Sequence, residues 1–246
     1  LGWPVMDGAT VQSAAYTLNC SNRFIAPTFS VIDCRGFQDK LSGLRDAVAL
    51  RRDAVPVRVV QKSTIEQYPR QKVLYSLPAD VARMFSTKSF LKPHLLAVKK
   101  GMTTFGDFRF LRLRWECEVS GVGVGKKWVP LAKGGAYARF CSNLPVVVNW
   151  ANDGAEVSEV NRLVNGQTAQ ARQASSFYYL PGGTYSRRSK DFGVRILPEG
   201  FILGDKGPAV FPADGIHPLL PVGLLNSRLI NCIVNLQANA KQYDPG

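Results

Sequence analysis

Two adjacent arginines, Arg187 and Arg188, are the residues of this chain best suited to bind a phosphate or to read a base edge. They end a Thr-Tyr-Ser-Arg-Arg run that contains Tyr185, and Lys190 follows two positions later. A guanidinium offers a planar fork of N–H donors that fits a phosphate or the edge of a guanine. The run therefore predicts base-proximal DNA contacts at Tyr185, Arg187 and Arg188, and a further DNA contact at Lys190.

A second set of cations alternates with aromatic residues or adjoins glycines in the middle of the chain. The alternation over residues 108–119 predicts a strand with a basic face, and residues 121–125 predict a glycine-rich turn. Cationic side chains bind phosphates through charge, and glycine lets a backbone approach them closely. The predicted DNA-backbone contacts are Arg109, Arg112, Arg114, Lys126, Lys127, Lys133 and Gly134. The neighbouring Phe110, Trp115, Trp128 and Trp150 are predicted to be core residues.

The charge of the chain is concentrated in one segment. The formal net charge is +13, and residues 51–146 hold eighteen basic and six acidic residues, whereas the flanks are nearly balanced. Such an excess favours a polyanionic partner. No apolar run of eighteen residues and no signal peptide is present, so neither a membrane partner nor secretion is expected.

Residues for self-contained catalysis or metal binding are scarce. The five cysteines form no Cys-x-x-Cys pair, and the two histidines, His94 and His217, each adjoin a proline. The glycine triplet at residues 121–125 lacks the spacing of a phosphate-binding loop. We therefore predict no metal site and no catalytic residue, and the scattered cysteines fit a reducing cytoplasm.

The coarse pattern is α+β, with many short strands, a few helices and no repeating βαβ unit. Residues 11–18 and 29–34 are predicted to form a hairpin. Further strands are predicted over residues 55–61, 95–98, 108–119, 128–131, 145–150, 177–180, 192–197 and 200–203. Helices are predicted over residues 38–52, 78–85, 155–164 and 217–238.

Short blocks follow one another in a characteristic order over roughly residues 60–246. They include Val-Asn-Trp-Ala-Asn-Asp-Gly and Gly-Thr-Tyr-Ser-Arg-Arg. The blocks are residues 101–104, 110–112, 115–116, 127–130, 133–137, 148–154, 183–188, 192–198, 204–208 and 224–227. In this order they resemble the C-terminal half of large adenine-N6 DNA methyltransferases, namely type IIG restriction–modification enzymes and the methyltransferases of the BREX and DISARM phage-defence systems.

The resemblance implies a catalytic domain followed by a target recognition domain. Residues 1–54 would be the C-terminal remnant of a Rossmann-like methyltransferase domain, and residues 55–246 the DNA target recognition domain. The family's glycine motif for S-adenosylmethionine and its Asn-Pro-Pro-aromatic motif are both absent from the sequence. No cofactor-binding or catalytic residue is therefore assigned to this chain, and S-adenosylmethionine is expected only for the full-length protein.

The resemblance also implies partners and a location. The chain begins at Leu1 without Met, and we interpret it as part of a longer polypeptide. The missing catalytic domain of that polypeptide would receive an adenine flipped from double-stranded DNA, while this chain clamps the duplex. Other defence-system subunits are further expected partners, in a bacterial or archaeal cytoplasm.

An alternative of another class is a basic protein–protein scaffold that binds an acidic partner within a defence complex. DNA binding would weaken steeply with salt and would be competed by duplex DNA, whereas a scaffold would keep its partner. A free-standing hydrolase or transferase would need an acid/base pair that the sequence does not offer.

Overall fold

The computed structural model describes residues 28–33, 39–49, 57–66, 77, 81, 96–166, 168–238 and 241–245. The chain divides into two compact units, residues 1–88 and 89–246. Small sheets and a few helices make up both units, which confirms the α+β class. The predicted boundary between a catalytic remnant and a recognition domain, after residue 54, stays a prediction.

The described part of the first unit contains one antiparallel strand pair and two helices. Strand β1 (Thr28–Ile32) pairs with β2 (Val57–Gln61), and Thr28 lies opposite Gln61. Helix α1 (Lys40–Val48) begins where the carboxylate of Asp39 accepts the N–H groups of Leu41 and Ser42 at 3.0 and 3.2 Å, a side-chain N-cap. Helix α2 (Lys62–Glu66) follows β2 directly.

The helix predicted over residues 38–52 and the strand predicted over 55–61 are thus confirmed with shorter bounds. The predicted strand at residues 11–18 and its hairpin lie outside the described residues, as does nearly all of the helix predicted over 78–85. The Rossmann-like remnant, predicted from the resemblance, also falls largely on residues outside the described ranges.

The second unit contains eight described strands and four described helices. The strands are β3 (Leu96–Lys99), β4 (Leu111–Leu113), β5 (Trp128–Ala132), β6 (Val146–Asn149), β7 (Gly182–Tyr185), β8 (Val194–Leu197), β9 (Ile202–Leu203) and β10 (Ala209–Pro212). The helices are α3 (Asp107–Phe110), α4 (Ala151–Asn165), α5 (Leu219–Leu225) and α6 (Arg228–Gln237).

One sheet has the order β3-β10-β7-β8 and is antiparallel throughout. Helix α5 packs against β7, β8 and β10, and Val194, Val210 and Val222 lie in the core between them. Strand β7 is buried along its whole length, and a Cβ at Gly183 would lie 2.8 Å from the side chain of Val194. The glycines of β7 therefore let the neighbouring strands and helix pack closely.

A side-chain amide covers the outer edge of this sheet. The Val194 N–H donates to Oδ1 of Asn226 at 3.0 Å, and Nδ2 of Asn226 donates to the Val194 carbonyl at 2.7 Å. Asn226 is buried and lies between α5 and α6. It satisfies two backbone groups of an edge strand as a neighbouring strand would.

The other sheet has the order β4-β6-β5-β9, with β5 and β9 parallel. Its core contains Phe110, Val129, Val148 and Trp150, all buried. The edge of the Trp150 ring faces Tyr178, with ring centroids 5.8 Å apart. The predictions that Phe110 and Trp150 are core residues are confirmed.

A left-handed turn opens α4. Asn152, Asp153 and Gly154 have φ values of 52°, 55° and 74°, a conformation that these residue types tolerate best. The Trp150 indole N–H donates to the Asp153 carboxylate at 3.1 Å, and Arg172 pairs with the same carboxylate. A Cβ on Gly154 would lie 2.7 Å from the Trp150 ring, so glycine is required by space as well as by φ.

The strand predicted over residues 108–119 is largely wrong. Helix α3 ends at Phe110, β4 covers only three residues, and a 3₁₀ turn follows over Arg114–Glu116. The consecutive apolar residues Phe110 and Leu111 break the alternation where helix gives way to strand. The buried Phe110 needs the helical turn to reach the core, so packing overrides the local pattern.

Three other predictions differ from the structure. Residues 177–180 form turns around the 3₁₀ helix Ser175–Phe177 rather than a strand. Strands β7 and β10 were not predicted. The helix predicted over residues 217–238 is two helices, bent by 69°, with Ser227 capping the second through its hydroxyl.

Within the described ranges, no single helix is both long and apolar enough to cross a membrane, and only the bent pair α5 and α6 meets that test by length and composition.

Candidate nucleic-acid interface

Trp128 carries two of the predicted DNA-binding cations on its ring. The guanidinium carbon of Arg112 lies 5.8 Å and the ammonium of Lys127 lies 5.7 Å from the ring centroid. Arg112 also donates to the carbonyls of Phe108 and Leu111 at 2.8 and 2.7 Å, which fixes its guanidinium. We call Arg112, Lys126, Lys127 and Trp128 the Trp128 group; its three cations are exposed. Trp128 is half-buried, so its predicted place in the core holds only in part.

Below the Trp128 group, the N–H of Trp150 donates to the Lys127 carbonyl at 2.7 Å. The left-handed turn at Gly154 packs on the Trp150 ring and so supports the backbone that presents Lys127. The position of this cation therefore depends on core packing as well as on its own turn.

Arg109 and Arg114 do not join the Trp128 group on one strand, contrary to the prediction. Arg109 donates twice to the Glu156 carboxylate, at 2.8 and 2.5 Å. Arg114 lies in the 3₁₀ turn after β4 and is exposed. The charge of Arg109 is therefore already compensated, whereas Arg114 extends the basic surface.

Lys133 is also compensated. Its ammonium lies 2.8 Å from both carboxylate oxygens of Asp107, and the Thr104 hydroxyl donates to the same carboxylate at 2.5 Å. Desolvation opposes ionisation of Asp107, but the hydrogen bonds from Lys133 and Thr104 outweigh it and hold the pKa of Asp107 below its usual range. Lys133 thus has a structural partner in addition to any ligand.

Gly134 brings two loops together. Its φ is +94°, and a Cβ there would lie 2.5 Å from the Lys206 carbonyl. Only glycine fits at this approach. The Arg187 N–H donates to the same carbonyl at 3.0 Å, so the predicted contacts at Gly134 and Arg187 converge on one turn.

Tyr185 is a core residue. It is 4% exposed and packs on Phe192 with ring centroids 5.4 Å apart, and burial raises the pKa of its hydroxyl. The structure does not present this side chain to a ligand, and we withdraw it from the candidate base contacts. Its place in the same run as Arg187 and Arg188 suggested an exposed residue, but Tyr185 lies on β7, a strand buried along its whole length.

Arg187 and Arg188 are held by residues 241–244, here called the C-terminal segment. Arg187 pairs with Asp244 at 2.6 Å, and Arg188 donates twice to the Gln242 amide oxygen at 3.0 and 2.8 Å. The Tyr243 N–H donates to the Arg187 carbonyl at 2.7 Å. Both arginines are therefore preorganised, and Arg188 is the more exposed of the two.

Residues 133–139, here called the glycine loop, pack against the Arg187 region. The Ser186 hydroxyl donates to the Gly135 carbonyl at 2.7 Å, and the Lys190 ammonium lies 5.4 Å from the Tyr137 ring centroid. Arg139 lies 5.9 Å from the same centroid. The structure thus brings Lys133, Gly134, Arg187, Arg188 and Lys190 into one region and adds Tyr137 and Arg139, which the sequence analysis missed.

Exposed aromatic residues accompany these cations. Phe108 is 99% exposed and Trp115 is 67% exposed, so the prediction that Trp115 is a core residue is wrong. An open groove of about 750 Å³ is lined by Phe108 and Arg112 together with Asp107, Glu116 and Lys133. Its walls carry both signs of charge, which makes the groove less suited to a polyanion than the surface around it.

Among the described residues, neither the glycine-rich turn at residues 121–125 nor a cluster of metal-ligating side chains forms a site for a methyl donor or a metal ion. The glycine-rich turn at residues 121–125 leads into β5 rather than a helix, so it has no helix N-terminus for a phosphate or cofactor. In the part of the chain that the structure describes, no three His, Cys, Asp or Glu side chains lie close enough to hold a metal ion. No step of methyl transfer is therefore derived from these residues.

Comparison with known proteins gives two relatives of one activity. The chain is 23% identical to the adenine-specific methyltransferase PglX of Lacticaseibacillus casei (strain Zhang), in a gapped alignment of 196 positions that covers 76% of this chain. It is 26% identical to the adenine-specific methyltransferase BrxX of Escherichia coli O9:H4 (strain HS), in a gapped alignment of 255 positions that covers 98% of this chain. No family model matches the chain.

These relatives confirm the resemblance to adenine-specific methyltransferases that the sequence motifs predicted. The chain spans 16% of the length of PglX and 19% of that of BrxX, less than a fifth in both cases. It is therefore similar to one portion of each relative, and the activity of the whole protein is a separate question.

Proposed function

We propose that this chain is the target-recognition portion of an adenine-specific DNA methyltransferase of the BREX kind, and that it clamps double-stranded DNA. The convergence of the glycine loop with the Arg187 region carries the proposal. Two sequence-distant segments supply cations, a close-approach glycine and an aromatic ring to one surface. Surfaces of this composition suit a phosphate backbone.

The two basic surfaces suggest a division of roles. The Trp128 group has exposed cations without a carboxylate partner among the described residues, so it would bind phosphates and set position. Arg187 and Arg188 are preorganised by the C-terminal segment, so they would read base edges. Arg114, Gly134 and Lys190 would add backbone contacts, while Arg109 and Lys133 would contribute less because carboxylates already pair with them.

The rest of the polypeptide would complete the enzyme. A separate catalytic domain would bind S-adenosylmethionine and methylate an adenine flipped from the duplex, with residues 1–54 as its C-terminal remnant. A bacterial or archaeal cytoplasm is the expected location, and other defence-system subunits are expected partners.

A second candidate is a basic module that docks an acidic protein. The exposed apolar side chains of Phe108, Trp115 and Val119, which is 85% exposed, favour it because soluble surfaces seldom leave such groups uncovered. They lie on the same basic segment as the Trp128 group.

Duplex DNA binding by the 246-residue chain, measured at two salt concentrations with a single-stranded competitor, tests the proposal. Tight binding that prefers duplex and weakens steeply with salt is the expected result. Failure of a folded sample to bind duplex at low salt would contradict it. Retention of an acidic protein partner in excess duplex DNA would favour the second candidate.

A further inference from the structure

Arg195 is a buried cation without a counter-charge. Its side chain lies on β8, opposite Thr184, and the residue is 2% exposed. No carboxylate among the described residues lies within ion-pair distance, and Nε has no hydrogen-bond partner there. The two contacts of Arg195 are with neutral oxygens: Nη2 donates to the Ser186 hydroxyl at 3.2 Å, and Nη1 donates to the Gly134 carbonyl at 3.5 Å.

Such an arrangement is costly for a stable fold. A buried charge loses its hydration and needs a partner of opposite charge to recover that free energy. A guanidinium has five N–H donors, and here the neutral oxygens of Ser186 and Gly134 engage only two of them. Other buried arginines in native folds are normally paired, so an anion absent from the chain itself is the simplest complement.

The glycine loop leaves a route to this guanidinium. Gly135 is exposed and has a φ of +128°. A Cβ built on Gly135 would meet only Nη1 of Arg195 within 4 Å, at 3.7 Å. The absence of a side chain therefore leaves the position next to Nη1 on the loop side free of other atoms. Ser186 closes the opposite side by donating to the Gly135 carbonyl.

We propose that the Arg195 guanidinium, approached past Gly135 and positioned by the Ser186 hydroxyl that accepts from Nη2, forms a binding site for one phosphate oxyanion, which a phosphodiester of bound DNA would supply. This inference rests on the proposed function for the source of the phosphate, but the anion site itself does not. The site lies beneath the glycine loop and beside Arg187, so a phosphate there would fix the duplex where the two segments meet. Arg195 was not a candidate from sequence.

Replacement of the charge should separate binding from folding. Arg195→Met keeps the length of the side chain and removes an uncompensated buried charge, so the variant should melt no lower than the wild type. Its affinity for duplex DNA should fall about tenfold or more, and its log–log salt slope should shrink by about 0.9. Arg195→Lys should keep the slope but bind less tightly, because it loses the guanidinium fork.

Arg162→Met is the matched control. Arg162 is exposed, pairs with Glu159 on α4, and has no part in the proposed interface. Arg162→Met removes the same formal charge as Arg195→Met but outside the interface. Its salt slope and its affinity for duplex DNA should therefore stay close to those of the wild type. An Arg195→Met variant that melts clearly lower than the wild type and keeps the wild-type slope would overturn the site.

A second measurement uses inorganic phosphate alone. Millimolar phosphate, too dilute for its general stabilising effect on folded proteins, should raise the melting temperature of the wild type above its value in chloride at equal ionic strength, and should not do so for Arg195→Met. If Arg195→Met does not fold, the measurement on the wild type alone tests the site. A wild-type melting temperature that is equal in phosphate and in chloride would then overturn it. If the wild type does not bind duplex DNA but is stabilised by phosphate, the proposed DNA binding is contradicted and the anion site is supported.

Discussion

The Trp128 group and the Arg187–Arg188 pair present cations of the same charge on opposite kinds of support. Arg112 and Lys127 lie over an aromatic ring, and Arg112 also donates to two backbone carbonyls, but neither cation pairs with a carboxylate among the described residues. Arg187 and Arg188 are held by the hydrogen bonds that they donate to the C-terminal segment, Arg187 to a carboxylate and Arg188 to an amide oxygen. Without a carboxylate partner, the charge of the Trp128 group stays available to any phosphate, whereas side-chain hydrogen bonds fix the geometry of the Arg187–Arg188 pair, which base reading requires.

Tyr243 anchors the C-terminal segment that holds Arg187 and Arg188, and its replacement should have the largest effect on stability. Tyr243 is 4% exposed, packs on Phe192, and donates from its hydroxyl to Asn235 at 2.7 Å. Tyr243→Ala should lower the free energy of unfolding by about 3–5 kcal/mol, as other large-to-small aromatic changes do. Denaturant unfolding would measure it. Tyr243→Phe removes only the hydroxyl and should cost about 1 kcal/mol; equal losses for the two variants would refute the packing role.

Disrupting the packing of Gly154 on Trp150, beneath the Trp128 group, should have the next largest effect on stability. Gly154→Ala would place a methyl group against the buried Trp150 ring at a φ of +74°. Strain and overpacking together should cost about 3 kcal/mol. Gly166→Ala has a similar φ, +69°, but no neighbour within 4 Å, and should cost about 1 kcal/mol. The difference between the two, read from denaturant midpoints, measures the Trp150 contact, and no difference would remove that contact from the explanation.

The comparison is tested directly by two double variants. Arg112→Ala with Lys127→Ala should weaken duplex binding tenfold to a hundredfold, roughly 1.4–2.8 kcal/mol, and reduce the salt slope by about 1.8, equally for all sequences. Arg187→Ala with Arg188→Ala should instead reduce the difference in affinity between the target sequence and other DNA sequences. Arg109→Ala serves as the control, because Glu156 already pairs with that residue. Identical slope changes in the two double variants would show that their supports make no functional difference.

The smallest effect should be a pH dependence at the C-terminal segment. Desolvation opposes ionisation of Asp244, but hydrogen bonds from Arg187 and Gln242 lower its pKa below the ordinary 3.8. A carboxyl with a lowered pKa stabilises the fold above its ordinary pKa, and this contribution is lost as the pH falls through the lowered value. The loss should be below about 1 kcal/mol because the pair is partly exposed. The free energy of unfolding, measured from pH 6 downwards, should lose this part of its pH dependence in Asp244→Asn. A pH dependence equal to that of the wild type would contradict the role of Asp244.

The sequence predicted those elements whose signals were local. Helix α1 follows from its apolar spacing, and the turn at residues 121–125 follows from its glycines. Strand β7 could not be predicted, because its two glycines have weak strand propensity and the strand is stabilised by close packing on Val194 and Val210. Asn226 ends α5 because its amide bonds to β8, a contact between distant parts of the chain.

The candidate site was predicted in part for the same reason. Charge and glycine content identified Lys133, Gly134, Arg187 and Arg188, which do converge. The pairing of Lys133 with Asp107 and the burial of Tyr185 depend on tertiary contacts that spacing does not encode. Arg195 did carry a signal, since an arginine within the apolar run Val-Arg-Ile-Leu is unusual in a buried strand.

Asn226 also has a consequence for how molecules of this protein meet each other. Strand β8 ends its sheet, and an uncovered edge strand is a template on which a second chain can add and begin aggregation. The amide of Asn226 occupies both backbone groups of Val194, and Phe140 bonds to the backbone on the same stretch. One side chain therefore helps to keep the sheet from recruiting copies of itself.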